Sequence, residues 1–91
     1  MPEKLVQKVT IVNRLGLHAR PAMAFVDLAS TFKCNVCVKR DDTEVDGKSI
    51  MQMMMLAATQ GTPLEIIAEG DDADAALAAL KSLVARGFDE E

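Results

Sequence analysis

The sequence predicts an α+β fold, a mostly antiparallel sheet with helices packed on one face. Three observations predict it. Four runs of alternating or β-branched residues stand at about 4–12, 34–39, 43–46 and 64–69. Three segments, about 19–31, 49–57 and 72–86, carry helical signals. The breaks between them are short and rich in Gly, Asn, Asp and Pro, so the order β-α-β-β-α-β-α fits a single domain over residues 1–91.

The first strand takes Val6, Val9, Thr10, Ile11 and Val12, with Val9 and Ile11 facing the core. A turn at Asn13, Arg14, Leu15 and Gly16 leads into a helix whose apolar stripe is Ala22, Phe25, Val26 and Ala29. Val36 and Val38 are the core-facing pair of the second strand, and Arg40, Asp41 and Asp42 turn it into the third. Gly47 breaks that strand, and a short helix starts at Ser49. After Gly61, Thr62 and Pro63, the fourth strand alternates Leu64, Ile66 and Ala68 with Glu65, Ile67 and Glu69, and Gly70 closes it. The last helix opens on Asp71, Asp72 and Asp74 and ends at Lys81, Arg86 and Gly87, the charge order that suits the helix dipole and a glycine C-cap. Its buried stripe is Ala76, Leu77, Leu80, Leu83 and Val84, and residues 88–91 are expected to fray.

The formal net charge of −4 argues against non-specific nucleic-acid binding, which needs a basic surface. No apolar run is long enough for a membrane span, and the first residues, Met1 to Leu5, lack the apolar stretch of a signal peptide. A cytoplasmic protein is expected. Cys34 and Cys37 form a C-x-x-C, but residues three apart on a strand point to opposite faces and no second ligand pair accompanies them. They are expected to be structural, with no metal and no cofactor.

Residues 16–22 read Gly-Leu-His-Ala-Arg-Pro-Ala and contain the one histidine of the chain. Pro21 favours a first helical turn, which places His18 just outside the helix N-terminus. Free N–H groups and the positive dipole end make that terminus an anion site. An imidazole there can act as nucleophile towards a phosphoryl group, and Arg20 can hold the phosphoryl oxygens. A helix cap would more usually be Ser, Thr, Asp or Asn. A hydrolase using His18 as general base is disfavoured, because the sequence offers no carboxylate partner at readable spacing, no nucleophile motif and no metal set.

The segments Gly16-Leu17-His18-Ala19-Arg20-Pro21-Ala22 and Lys48-Ser49-Ile50-Met51, together with the strand order and length, resemble the HPr family. These are histidine-containing phosphocarriers of the bacterial phosphoenolpyruvate:sugar phosphotransferase system. The resemblance implies an open-faced β-sandwich, its four antiparallel strands ordered 1-4-2-3 with three helices on one face. It implies that His18 accepts a phosphoryl group at Nδ1 from enzyme I and donates it to an EIIA domain in sugar uptake or its regulation, with Arg20 as the phosphoryl partner. Ser49 corresponds to the regulatory serine, the site of an HPr kinase/phosphorylase where the organism has one. Such a chain is a monomeric carrier with no stand-alone turnover. The alternative is a nitrogen-type or purely regulatory carrier, whose His18 or Ser49 phosphorylation is read by regulators. Gln52 stands where many relatives carry Gly or Lys, and Asp27 near a position that is often basic, so the rim is less basic than usual.

Ser49 also has a structural reading, because Ser49-Ile50-Met51-Gln52 fits the capping box S-x-x-Q. The helix that follows is apolar all round, and only one stripe of so short a helix can face the core. Met53 and Leu56 are assigned inward. Ile50, Met51 and Met54 are assigned outward beside His18 as the partner-binding patch.

Overall fold

The computed structural model describes residues 4–89. In chain order it has β1 (Lys4–Thr10), α1 (Ala19–Ala29), β2 (Asn35–Arg40), β3 (Thr43–Asp46), α2 (Ile50–Met55), β4 (Pro63–Glu69) and α3 (Ala73–Ala85), then a 3-10 turn at Gly87–Asp89. The four strands form one antiparallel sheet in the order β1-β4-β2-β3, as the resemblance implies.

The period of two sorts the strands into two faces. Val9, Val36, Val38, Val45, Leu64, Ile66 and Ala68 are buried beneath the helices. The register carries the pattern across the open face, where Lys8, Glu65, Lys39 and Glu44 lie side by side on the four strands. Charges of alternating sign at cross-strand positions contribute roughly 0.2–1 kcal/mol per pair. On the helical side, Ala22, Phe25, Val26 and Ala29 of α1 and Ala76, Leu77, Leu80, Leu83 and Val84 of α3 are buried, the stripes that the helical spacing predicts.

Several boundaries differ from the sequence reading. β1 stops at Thr10 because its partner β4 begins at Pro63, paired with Thr10. Ile11 is still a core residue: its N–H donates to the Thr62 carbonyl and its own carbonyl accepts from Gly61. α1 ends at Ala29, two residues early, because the Thr31 hydroxyl and N–H both turn back to the Leu28 carbonyl. β2 runs one residue later than expected. α2 is trimmed to 50–55, since Ser49 is its N-cap and Ala57 takes a left-handed backbone with φ of 49°.

The largest correction is at the C-terminal end, where residue 88 does not fray. Phe88 is buried in the core, and Asp89 accepts from Arg86 Nε at 2.9 Å. Phe88 has a φ of 58°, a conformation that costs a non-glycine residue roughly 1–2 kcal/mol. Burying a phenylalanine side chain stabilises by about 1.5–3 kcal/mol, which offsets it. Residues 90 and 91 lie outside the described residues.

Asp72, the N-cap of α3, does not cap its own helix. Its carboxylate accepts the backbone N–H groups of Lys33, at 2.8 Å, and Cys34, at 2.9 Å, and so ties the start of α3 to the entry of β2. The N–H of Lys33, and then that of Cys34, holds this carboxyl below the usual carboxylate range. The folded chain therefore favours the ionised form more than the unfolded chain does. That stabilisation is complete above the unfolded value of about 3.9 and is lost as the pH falls through the lower folded value. Asp72→Asn is expected to remove this part of the acid dependence. Thermal melts of both proteins from pH 7 to pH 2 check it: their melting temperatures should differ most near neutrality and converge in acid.

Candidate functional site

The site begins with a turn that only a bare backbone can make. Gly16 has a φ of 72°, and a Cβ there would lie 2.5 Å from the Ala58 carbonyl oxygen. That close approach lets the Leu17 N–H donate to the same carbonyl at 2.8 Å. Asn13, itself buried, donates from Nδ2 to the Gly16 carbonyl at 2.7 Å, and the His18 N–H donates to that carbonyl at 3.0 Å. Leu17 is buried as the plug of the turn. The backbone before His18 is thus held on both sides.

His18 is the N-cap residue of α1, with φ of −84° and ψ of −170°, and its carbonyl accepts the first helical bond from the Ala22 N–H. The half-buried His18 makes no side-chain capping hydrogen bond to the helix. Ala19 and Arg20 occupy the first two helical positions, where N–H groups have no partner within the helix, and Pro21 has no N–H to satisfy. Arg20 is exposed two residues from His18. The first turn therefore offers two backbone donors, with the exposed Arg20 in the same turn as His18.

Ser49 lies at the start of α2, and its hydroxyl oxygen accepts the Gln52 N–H at 3.2 Å. The reciprocal half of the capping box is absent. Gln52 Oε1 instead accepts the Asp46 N–H at 2.9 Å, while the Ser49 N–H donates to the Asp46 carbonyl. The side-chain amide is taken up by the end of β3, and the Ser49 N–H already has the Asp46 carbonyl as its acceptor. Lys48 beside it donates from Nζ to the Phe32 carbonyl at 2.8 Å, pinning this turn to the segment after α1.

α2 divides sharply. Met53 is 1% exposed and Leu56 3%, whereas Met51 is 81% exposed, Met54 44% and Ile50 37%. Sequence reasoning missed three exposed apolar residues: Met55 at 72% exposure, Leu15 in the turn before His18, and Met23 one turn into α1 from Arg20. The uninterrupted Met53-Met54-Met55 run was the signal for Met55, because three consecutive residues cannot all face inward. It also missed Arg40, read as a turn residue. Arg40 Nη1 donates to the carbonyls of Leu56, at 2.7 Å, and Ala57, at 2.9 Å, and so clamps the end of α2 next to the His18 turn.

The cysteines stand apart from this site. Cys34 is buried and Cys37 half-buried on the open face, and both are free. Burial pushes both thiols up, with Asp72 adding to it at Cys34 and Glu44 and Asp46 at Cys37. Among the described residues no group of three or more His, Cys, Asp or Glu side chains is placed to hold a metal ion.

With this geometry in hand, comparison with known proteins is decisive. The family model for the PTS HPr component phosphorylation site matches residues 5–86. The chain belongs to the HPr family. It is 51% identical over 84 residues to the phosphocarrier protein HPr of Pseudomonas aeruginosa, covering 91% of this chain and 93% of that one. It is 40% identical over 86 residues to the phosphocarrier protein NPr of Escherichia coli, covering 93% and 96%. The crystal structure of HPr-C-His from Thermoanaerobacter tengcongensis matches with a TM-score of 0.91 at 42% identity, covering 96% of this chain and 98% of that one. This is the HPr/NPr phosphocarrier family, and membership is consistent with a phosphocarrier role in the phosphotransferase system. Both HPr and NPr relatives lie within range, and no helix among the described residues is long and apolar enough to cross a membrane.

Gly16→Ala is expected to destabilise the domain by about 1–3 kcal/mol, because the new Cβ is strained by the positive φ and collides with a carbonyl. Urea unfolding of the variant against wild type measures it. The two faces of α2 make an opposite pair. Met51→Asp should change stability by within about 0.5 kcal/mol, whereas Met53→Asp places a carboxylate in the core at a cost of several kcal/mol. Thermal melts that reversed this order would reverse the assigned faces.

Proposed function

We propose that this chain carries a phosphoryl group on His18, taken from phosphoenolpyruvate-charged enzyme I and passed to EIIA domains in sugar uptake or its regulation. The observation that carries the reading is His18 at the N-cap of α1, its ring not used as the cap, with Arg20 in the first turn. In the transfer, the Nδ1 lone pair forms a P–N bond as the bond from phosphorus to the donor breaks in line. The charge spread over the phosphoryl oxygens meets the Arg20 guanidinium and the first N–H groups of α1. The linkage formed is a high-energy P–N bond, so the group can move on to an acceptor by the same displacement. The protein contributes placement and charge, and its partners complete each reaction.

Ile50, Met51 and Met54 supply the apolar surface on which enzyme I and EIIA dock beside His18. Ser49 at the head of the same helix is the regulatory site, open to an HPr kinase/phosphorylase. Phosphorylation there adds about −1.5 to −2 charge to a neutral surface. The chain works in this scheme as a cytoplasmic monomer. A nitrogen-type or purely regulatory carrier is the second reading: the chain is 40% identical to the Escherichia coli NPr, which is less than its 51% identity to the Pseudomonas aeruginosa HPr. Transfer assays with sugar-type and nitrogen-type EIIA domains separate the two.

Mass spectrometry after incubation with phosphoenolpyruvate and enzyme I should find one phosphoryl group, on His18. His18→Ala is expected to abolish acceptance with the melting temperature retained, and Arg20→Ala to slow transfer by about tenfold or more without unfolding. Acceptance by the His18→Ala protein would move the carrier role to another residue. Ser49→Asp keeps a good N-cap, so it should leave stability within a few tenths of a kcal/mol while weakening enzyme I binding. Calorimetric titration that gave equal affinities for the two proteins would remove the regulatory role from Ser49.

A further inference from the structure

We infer that the displayed methionines of α2, Met51, Met54 and Met55, are a modification site at which peroxide-class oxidants reversibly switch off docking. The inference rests on the reading of this helix as the docking surface. Four of the six residues of α2 are methionine, and burial accounts for one of them, Met53. Leucine or isoleucine would serve equally well as an apolar contact. Methionine differs in its adaptability, and in being the flexible apolar side chain that a mild oxidant converts into a polar one.

The chemistry balances with a peroxide as the oxidant. The thioether sulfur attacks one peroxide oxygen, the O–O bond breaks, and an S=O group forms while the second oxygen leaves as water. Sulfur is oxidised by two electrons and the peroxide is reduced. Thiol-dependent reductases reverse the step, because two thiols become a disulfide and the oxygen leaves as water. Access separates the sites within one helix: Met51, Met54 and Met55 face solvent, and Met53 lies beneath the sheet-facing side. A sulfoxide on the solvent side is hydrated and leaves the core packing intact. The same sulfoxide must shed that water when a partner covers it, and an apolar partner surface returns no hydrogen bond. The thiols compete poorly, because Cys34 is buried, Cys37 is half-buried, and both are held further towards the unreactive protonated form.

The test treats the full chain with limiting hydrogen peroxide and maps the oxidised residues by peptide mass spectrometry. Met51 and Met55 should oxidise first, Met54 next and Met53 last. Phosphoryl transfer from enzyme I should fall at least about tenfold while the melting temperature holds. Treatment with methionine sulfoxide reductases A and B and a thiol should restore it. In the Met51→Leu, Met54→Leu, Met55→Leu triple variant, the ratio of treated to untreated rate should stay near one, whatever its starting rate. Oxidised protein that transfers at the untreated rate overturns the inference, as does a loss that the reductases do not recover. An equal loss in the triple variant also overturns it, by placing the effect at Met23 or a thiol. An untreated chain that accepts no phosphoryl group overturns the carrier reading and this inference with it, and so the two failures are distinguishable.

Discussion

The Ala58 carbonyl receives the Leu17 N–H at 2.8 Å, across a Gly16 that has no side chain to keep the two segments apart. This contact joins the turn before α1 to the loop after α2. It sets where His18 stands relative to the displayed face of α2, which come from stretches of chain more than thirty residues apart. Asn13 secures one side of the contact through Gly16, and Arg40 secures the other through the carbonyls of Leu56 and Ala57. His18 therefore follows a backbone held by the Gly16 carbonyl's two donors and by the bond from Leu17 to Ala58. Backbone support of this kind lets a small domain fix the position of a side chain without a deep pocket.

Much of this was readable before any coordinates, because it depends on local rules. Alternation in 64–69, the helical stripe from Ala22 to Ala29, and the proline three residues past His18 each report their own segment. The division of α2 into Met53 and Leu56 on one side and Met51 and Met54 on the other follows from helical geometry alone. What was not readable depends on contacts between distant segments. Arg40 looked like a turn residue because its two acceptors lie sixteen and seventeen positions away. Gln52 left the capping box for an N–H of β3 that the local pattern does not encode. Phe88 looked like part of an acidic tail, and only the packed core shows that there is room for its ring.

The two faces of the domain solve different problems. Across the sheet's open side, Lys8, Glu65, Lys39 and Glu44 stand at adjacent cross-strand positions with alternating charge. On the side of α2 the exposed residues other than Gln52 are thioethers and an isoleucine, apolar groups that gain from being covered. A flexible apolar patch adapts to the surface that covers it, where fixed charges would select.

The burial of Phe88 has a consequence for the order of events at synthesis. The chain leaves the ribosome with His18 early and Phe88 some seventy residues later. Gly87, next to that ring, packs against the Val12 and Asn13 side chains at the foot of the His18 turn, and β1 waits for β4 as its sheet neighbour. A nascent chain that already displays the histidine therefore lacks β4, the sheet neighbour of β1, and the Phe88 ring of the core. The turn that presents the histidine is therefore completed from segments made after it, by the carbonyl of Ala58 and by a sheet that needs β4.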